Sequence, residues 1–278
     1  DPLWSRGLGD VYKRQIERPI VFGNNDTPGV MLSSGAKEYM KVYGVLVGRK
    51  PIIFTNNDSA YETAIEFKNN GADPLILDTR KEQSSDLIND AKNKDIKIKF
   101  NHAVIKADGY KKVKSAIIGE LSEDKTTYKN ISSVECDCIC VSGFWTPSVH
   151  LASQSGNKLK FDKEIDAFVP DKSKQEEITV GAANGNFTLH DTLNAGFNAG
   201  SQVSRKLNNK DVNIQIPTVT EKKYKTHDKF WCAPLPKNIK AKRFVDFQND
   251  VSVTDIEIAL REGYRSIEHV KRYTTLGM

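Results

Sequence analysis

The stretch Pro51–Asp78 most constrains the fold. Pro51-Ile52-Ile53-Phe54 is a continuous apolar run, the pattern of a strand buried on both faces. Thr55-Asn56-Asn57-Asp58-Ser59 is a polar turn in which Asp58 or Ser59 can cap a helix. Tyr61, Ala64, Ile65 and Phe67 then recur at helical spacing up to the stop signal Gly71, and Leu75-Ile76-Leu77-Asp78 forms a second strand. A strand, a helix and a strand in this space make a parallel pair with a right-handed crossover, which places the chain in the α/β class. Asp78 stands where a dinucleotide-binding unit carries its ribose-binding acid. TNNDS replaces the glycines such a unit needs, so side chains crowd the pyrophosphate position and the unit reads as scaffold.

A second strand-to-helix passage, Ile178–Leu207, has the opposite chemistry. Ile178-Thr179-Val180 predicts a short strand, Gly181-Ala182-Ala183-Asn184-Gly185 a bend of small residues, and the chain from about Thr188 an Ala- and Gly-rich helix. Such a bend lets a pyrophosphate approach bare backbone at a helix start, where amide N–H groups and the helix dipole favour negative charge. The same pattern also suits a tight turn with no ligand. Gly196 and Gly200 put a flat stripe on this helix, suited to packing on a sheet.

Between the two passages lie a helix over Ser85–Asn93 and four short alternating runs, Ile96–Phe100, Ala103–Ala107, Lys111–Ile118 and Thr127–Val134, which predict antiparallel strands. Cys136, Cys138 and Cys140 alternate along a further strand and are expected on one face as small apolar groups, since adjacent same-face strand positions converge poorly on a metal. Trp145 and His150, after that strand, can contact a cofactor or seal a domain interface. From Asn208 to Lys240, periodicity gives way to Pro217, Pro234, Pro236 and many lysines, the pattern of a linker that wraps over a neighbouring surface. Beyond it Phe244–Phe247 reads as a strand, Thr254 and Ser266 as helix caps, and His269-Val270-Lys271-Arg272-Tyr273-Thr274-Thr275 as a cluster that can hold a phosphate or remain a solvated helix end.

The 278 residues exceed one ordinary domain, and a net charge of +5 spread along the chain argues against nucleic-acid binding. No apolar run reaches the length of a membrane span, and four cysteines in so long a chain make a reducing cytoplasm the expected setting. Asp10-Val11-Tyr12-Lys13-Arg14-Gln15 resembles a translated sequencing-library adaptor, so residues 1–15 read as a non-native leader.

The segments ERPIVFGNNDTPGVML, IIFTNNDSAYETA, VSGFWTPSVHLASQSGNKLKFD, FVPD, VGAANG, FVDFQNDV and SIEHVKRYTTLGM, in this order, resemble the middle of the alpha subunit of heterotetrameric sarcosine oxidase, and the resemblance runs from Ile16 to Met278. It implies a glutathione-reductase-like dinucleotide-binding fold formed by residues 16–49 and 135–207, an inserted smaller α/β domain over 50–134, a linker over 208–240, and the start of a flavin-interface domain over 241–278. It also implies a CH–NH oxidoreductase that uses oxygen and converts sarcosine to glycine, with hydrogen peroxide and formaldehyde or methylenetetrahydrofolate as further products. FAD and tetrahydrofolate would be bound elsewhere in a complex with beta, gamma and delta subunits, and this part alone would be inactive. NAD would rest on Gly181, Ala182, Gly185, Phe187 and Leu189, with FMN near Arg272 and Thr274; no catalytic residue falls in this chain. Related amine or opine oxidases and dehydrogenases share much of the pattern, and a non-catalytic scaffold subunit is the competing class. A pyridine-nucleotide disulfide reductase would need a C-x-x-C pair that the chain lacks.

Overall fold

The computed structural model describes residues 15–208, 216–219 and 227–278. Most of the leader and parts of the expected linker therefore lie outside the described residues. The chain opens with β1 (Gln15–Glu17), β2 (Val30–Leu32) and α1 (Ser33–Tyr43). Next come β3 (Pro51–Thr55), α2 (Ser59–Asn69), β4 (Leu75–Asp78), α3 (Asp86–Asn93) and β5 (Lys97–Phe100). A meander follows, β6 (His102–Asp108), β7 (Ser115–Leu121) and β8 (Tyr128–Glu135), then β9 (Cys138–Ser142) and β10 (Trp145–Pro147). After α4 (His150–Gln154) come β11 (Leu159–Asp162), β12 (Ala167–Pro170), a 3-10 turn at Gly181–Asn184 and α5 (Leu189–Asn208). The chain ends with β13 (Phe244–Asp246), β14 (Val251–Ser252), α6 (Val253–Arg261) and α7 (Ile267–Thr274).

Contacts divide the chain into two compact units, one from residues up to 18 with 145–223, the other from 19–144 with the chain from 224 onward. In the larger unit a parallel five-stranded sheet has the order β2-β9-β3-β4-β5. Side chains alternate across it. Ile53, Ile76, Cys138 and Cys140 face the helices, packing on Ala36, Tyr61, Ala64, Phe67, Leu87 and Ile88. Ile52, Phe54, Leu77, Ile139 and Val141 face the meander, packing on Val104, Ala116 and Ile118. The larger unit is thus three layers: helices, parallel sheet, antiparallel sheet. This α/β architecture is the expected class, and the sheet joins residues that the sequence reading divided between a dinucleotide-binding domain and an insertion.

Three expectations are corrected here. The run at 97–100 pairs parallel with β4, because α3 carries the chain back across the sheet face before it. The three cysteines do not share a face. Asp137 accepts hydrogen bonds from the amides of Arg49 (2.7 Å) and Lys50 (2.9 Å), the strand proper starts at Cys138, and Cys136 falls in the meander-side core. Burial, with Asp137 beside it, pushes the Cys136 thiol up to about 12. All three side chains lie buried in apolar cores and act as apolar groups, the part of the reading that stands. The cap of α6 is Ser252 rather than Thr254. Its backbone N–H and hydroxyl donate to Asp255, a capping box that holds the Asp255 carboxyl below its ordinary value.

The C-terminal stretch is anchored to the start of the larger unit through Asn24, whose amide donates to the Lys242 carbonyl (2.7 Å), and through the carboxamide of Asn25. Asn25, 5% exposed, donates to the Phe244 carbonyl (2.8 Å) and accepts from the Phe244 amide (2.9 Å). The smaller unit holds the β1–β10 pair and the β11–β12 hairpin. The Arg18 guanidinium closes the hairpin tip by donating to the carbonyls of Asp166 (2.8 Å) and Ile165 (3.1 Å).

Candidate functional site

The small-residue bend lies in the smaller unit. Ile178–Val180 is extended but pairs with no strand among the described residues, and Ile178 and Val180 stay partly exposed, which corrects the expected strand. Gly181 (φ +73°) and Gly185 (φ +84°) bracket a single 3-10 turn closed by the Gly185 amide on the Ala182 carbonyl and the Asn186 amide on the Gly181 carbonyl, each 3.1 Å. Both glycines are also demanded by the chain itself. A Cβ at 181 would stand 3.2 Å from Thr192 Cγ2, and one at 185 would stand 3.0 Å from Ile165 Cδ1. Ala182 is buried within the unit, Asn184 is exposed, and Phe187 and Leu189 are half-buried.

Immediately after the bend, Thr188 accepts from the Asp191 amide (3.1 Å) and donates to the Asp191 carboxylate (2.7 Å), so α5 starts on a side-chain cap. A bare turn at the start of a 20-residue helix suits an anion, whereas Asp191 at the mouth opposes one. Gly196 and Gly200 do not form the expected packing stripe: a Cβ at either would meet nothing within 4 Å.

The second set of expected residues lies in the larger unit. Arg272 is exposed on α7. Thr274 turns its hydroxyl back to the Val270 carbonyl (2.7 Å), as a helix-terminal threonine commonly does, so that hydroxyl is engaged in its own helix end.

A third place carries more built polar geometry than either. At the carboxyl ends of β3, β4 and β9, Asn56, Asn57, Asp58, Asp78 and Ser142 are all almost fully buried. Arg80 holds both carboxylates, with Nη2 2.7 Å from Asp78 Oδ2 and 2.8 Å from Asp58 Oδ1 and with Nε 2.9 Å from Asp78 Oδ1. Tyr61 donates to Asp78 at 2.8 Å. Burial works against the guanidinium charge, but the bonds to Asp78 and the charges of Asp78 and Asp58 outweigh it and raise Arg80 above its ordinary value. Burial first, and then the Asp78 charge, raise the Tyr61 phenol. Asp78 is therefore sealed against Arg80 instead of facing a ribose. Sequence reading missed Arg80, whose only signal was its position two residues beyond a strand-end acid. Among the described residues no cluster of three His, Cys, Asp or Glu is arranged for a metal, and no helix is long and apolar enough to cross a membrane.

Comparison with known proteins connects these observations. The sarcosine oxidase A3 domain model matches residues 240–278. Sarcosine oxidase subunit alpha of Rhizobium meliloti (strain 1021) is 36% identical over 265 residues, 94% of this chain and 25% of the relative. That of Corynebacterium sp. (strain P-1) is 31% identical over 266 residues, 94% of this chain and 27% of the relative. The chain is related to the sarcosine oxidase alpha subunits. It spans about a quarter of the length of these curated relatives. Among solved structures, L-proline dehydrogenase from P. horikoshii matches with a TM-score of 0.59 at 18% identity, covering 95% of this chain and 48% of that one. Thioredoxin reductase of Lactococcus lactis (FR conformation) matches at 0.51 and 16% identity, covering 69% and 63%. The fold of this alpha-subunit relative is thus the dinucleotide-binding α/β fold of such oxidoreductases.

Proposed function

We propose that this chain is the nucleotide-binding part of the alpha subunit of a flavin-dependent amine oxidase complex whose substrate is sarcosine. The observation that carries the reading is relatedness to two such subunits along 94% of the chain, including the bend of small residues that opens α5. On this reading the backbone of Gly181, Ala182 and Gly185 receives the NAD phosphates, with Phe187 and Leu189 lying along the nucleotide. Arg272 supplies positive charge toward the phosphate of FMN, and Thr274 stiffens the helix end that presents Arg272. NAD, when bound, brings a nicotinamide able to accept hydride. What this chain's residues do is bind and orient. The small side chains admit the ligand to bare backbone, and the α5 N-terminus favours its charge. Residues 241–278 begin the part of the subunit that meets the flavin. FAD, tetrahydrofolate and the beta, gamma and delta subunits complete the complex in the cytoplasm, where the amine is oxidised away from this chain.

Leu189→Glu in the full-length complex tests the nucleotide assignment. An acid in the first turn of α5 is compatible with the helix, but it repels a phosphate there. NAD released on denaturing the purified complex should fall about tenfold, the effect of roughly 1.4 kcal/mol of repulsion. Unchanged NAD content in a folded complex removes NAD from this bend.

A further inference from the structure

In open parallel sheets a ligand enters the crevice outside the carboxyl ends of the strands, where the strand order reverses. In this sheet that point lies between β3 and β9, from which α2 leaves to one side. The crevice is filled by the chain itself. The Asp228 amide donates to the Asn56 carbonyl (3.0 Å), and the Asn56 carboxamide donates back to the carbonyls of Asp228 (2.8 Å) and Phe230 (3.2 Å). The Asp228 carboxylate accepts from Thr79, just past β4, at 3.1 Å and is ion-paired with Lys125. His227 stacks on Phe144 with ring centroids 4.2 Å apart, and Trp231 Nε1 donates to the Gly143 carbonyl just past β9. Phe230 is buried in the meander-side core, and Val21 bonds both the Trp231 carbonyl and the Ala233 amide, each at 2.7 Å. Asn57 meanwhile spans from the β3 end to Ser142 at the β9 end.

We propose that residues 227–231 are a self-ligand: a strap that permanently occupies the nucleotide crevice of the parallel sheet and keeps a dinucleotide out of it. The chemistry is that of substitution. Asp228 brings the negative charge a phosphate would bring, Lys125 and Thr79 receive it, and the α2 start is answered from within the chain by Asn57 Oδ1, which accepts from the Ser59 amide at 3.0 Å. Arg80, the buried cation nearest this edge, is already held by Asp58 and Asp78 and offers nothing to an incoming phosphate. A pyridine nucleotide therefore cannot deliver hydride from this side of the sheet, whatever binds at the bend after Val180.

Hydrogen exchange of the full-length subunit, read by mass spectrometry with NADH as the probe, tests the strap. In the unmodified protein the amides over 228–233 should be protected, and millimolar NADH should leave them and residues 55–59 unchanged. Asp228→Asn and Lys125→Ala should each speed exchange over 228–233 by about tenfold, as expected for losing a charged hydrogen bond, while β7 keeps its protection. If Asp228→Asn unfolds the unit, seen as loss of protection at β7, Lys125→Ala decides. NADH that protects 55–59 while releasing the strap overturns the proposal, as does unchanged exchange over 228–233 in folded variants. Neither outcome bears on NAD content, so the test is independent of the Leu189→Glu experiment.

Discussion

Two bends lead from extended chain into helices, one after the strand β3 and one after the unpaired segment Ile178–Val180, and they are built from opposite materials. After β3 the chain passes through Asn56, Asn57 and Asp58, whose side chains are buried and bonded to β9, to Arg80 and to residues 228–230. After Val180 it passes through Gly181, Ala182, Ala183 and Gly185, which have almost nothing to bond with beyond the backbone. Polar side chains at a strand end become the ligands of their own crevice. Small residues leave the backbone bare and the outcome open to something from outside. Similar local topology thus yields a filled site in one unit and a candidate cradle in the other.

The largest expected effect tests the filled bend. Arg80→Met leaves the buried carboxylates of Asp58 and Asp78 without their cation and should cost about 3–5 kcal/mol, seen as a lower denaturation midpoint. A cost under about 1 kcal/mol would mean that water or a rearranged partner reaches them. Next comes Gly185→Ala at the bare bend. The positive φ and the 3.0 Å approach to Ile165 predict a loss of about 1–2 kcal/mol in the smaller unit. A neutral result would show that this turn relaxes freely, unlike its counterpart.

The smallest effect is one of pH. The Tyr61 phenol is raised above its ordinary value, so the native state favours its neutral form. Its contribution is complete below the unfolded value of about 10 and is lost as pH rises beyond that. Tyr128 is raised by burial as well, so absorbance of ionised tyrosine should show a late phase from both that coincides with unfolding, and Tyr61→Phe should shrink that phase without abolishing it.

Much of the scaffold was legible because its cues are local. The apolar run at Ile52–Phe54, the helix stop at Gly71 and the strand Leu75–Asp78 all sit where spacing puts them. The direction of β5 was not legible, since alternation reports a strand but not its partner. The partners of Asn56 were hidden for a related reason: Asp228 lies 172 residues away, and nothing near it in the sequence marks it as a substitute for a phosphate. The bend at Gly181–Gly185 was readable as a turn, but its glycines answer Thr192 and Ile165 as well as any ligand, a demand visible only once the packing is known.

The Asn25 clamp has a consequence for synthesis. Asn25 and Phe244 are 219 positions apart, and Phe230 completes a core begun at Ile20. On the ribosome the meander-side core must wait without Phe230 and Ala233 while the whole smaller unit is made. A chaperone that holds nascent chains would find its target in that interval, and a stall before Phe230 is translated would release a core short of its last two apolar side chains.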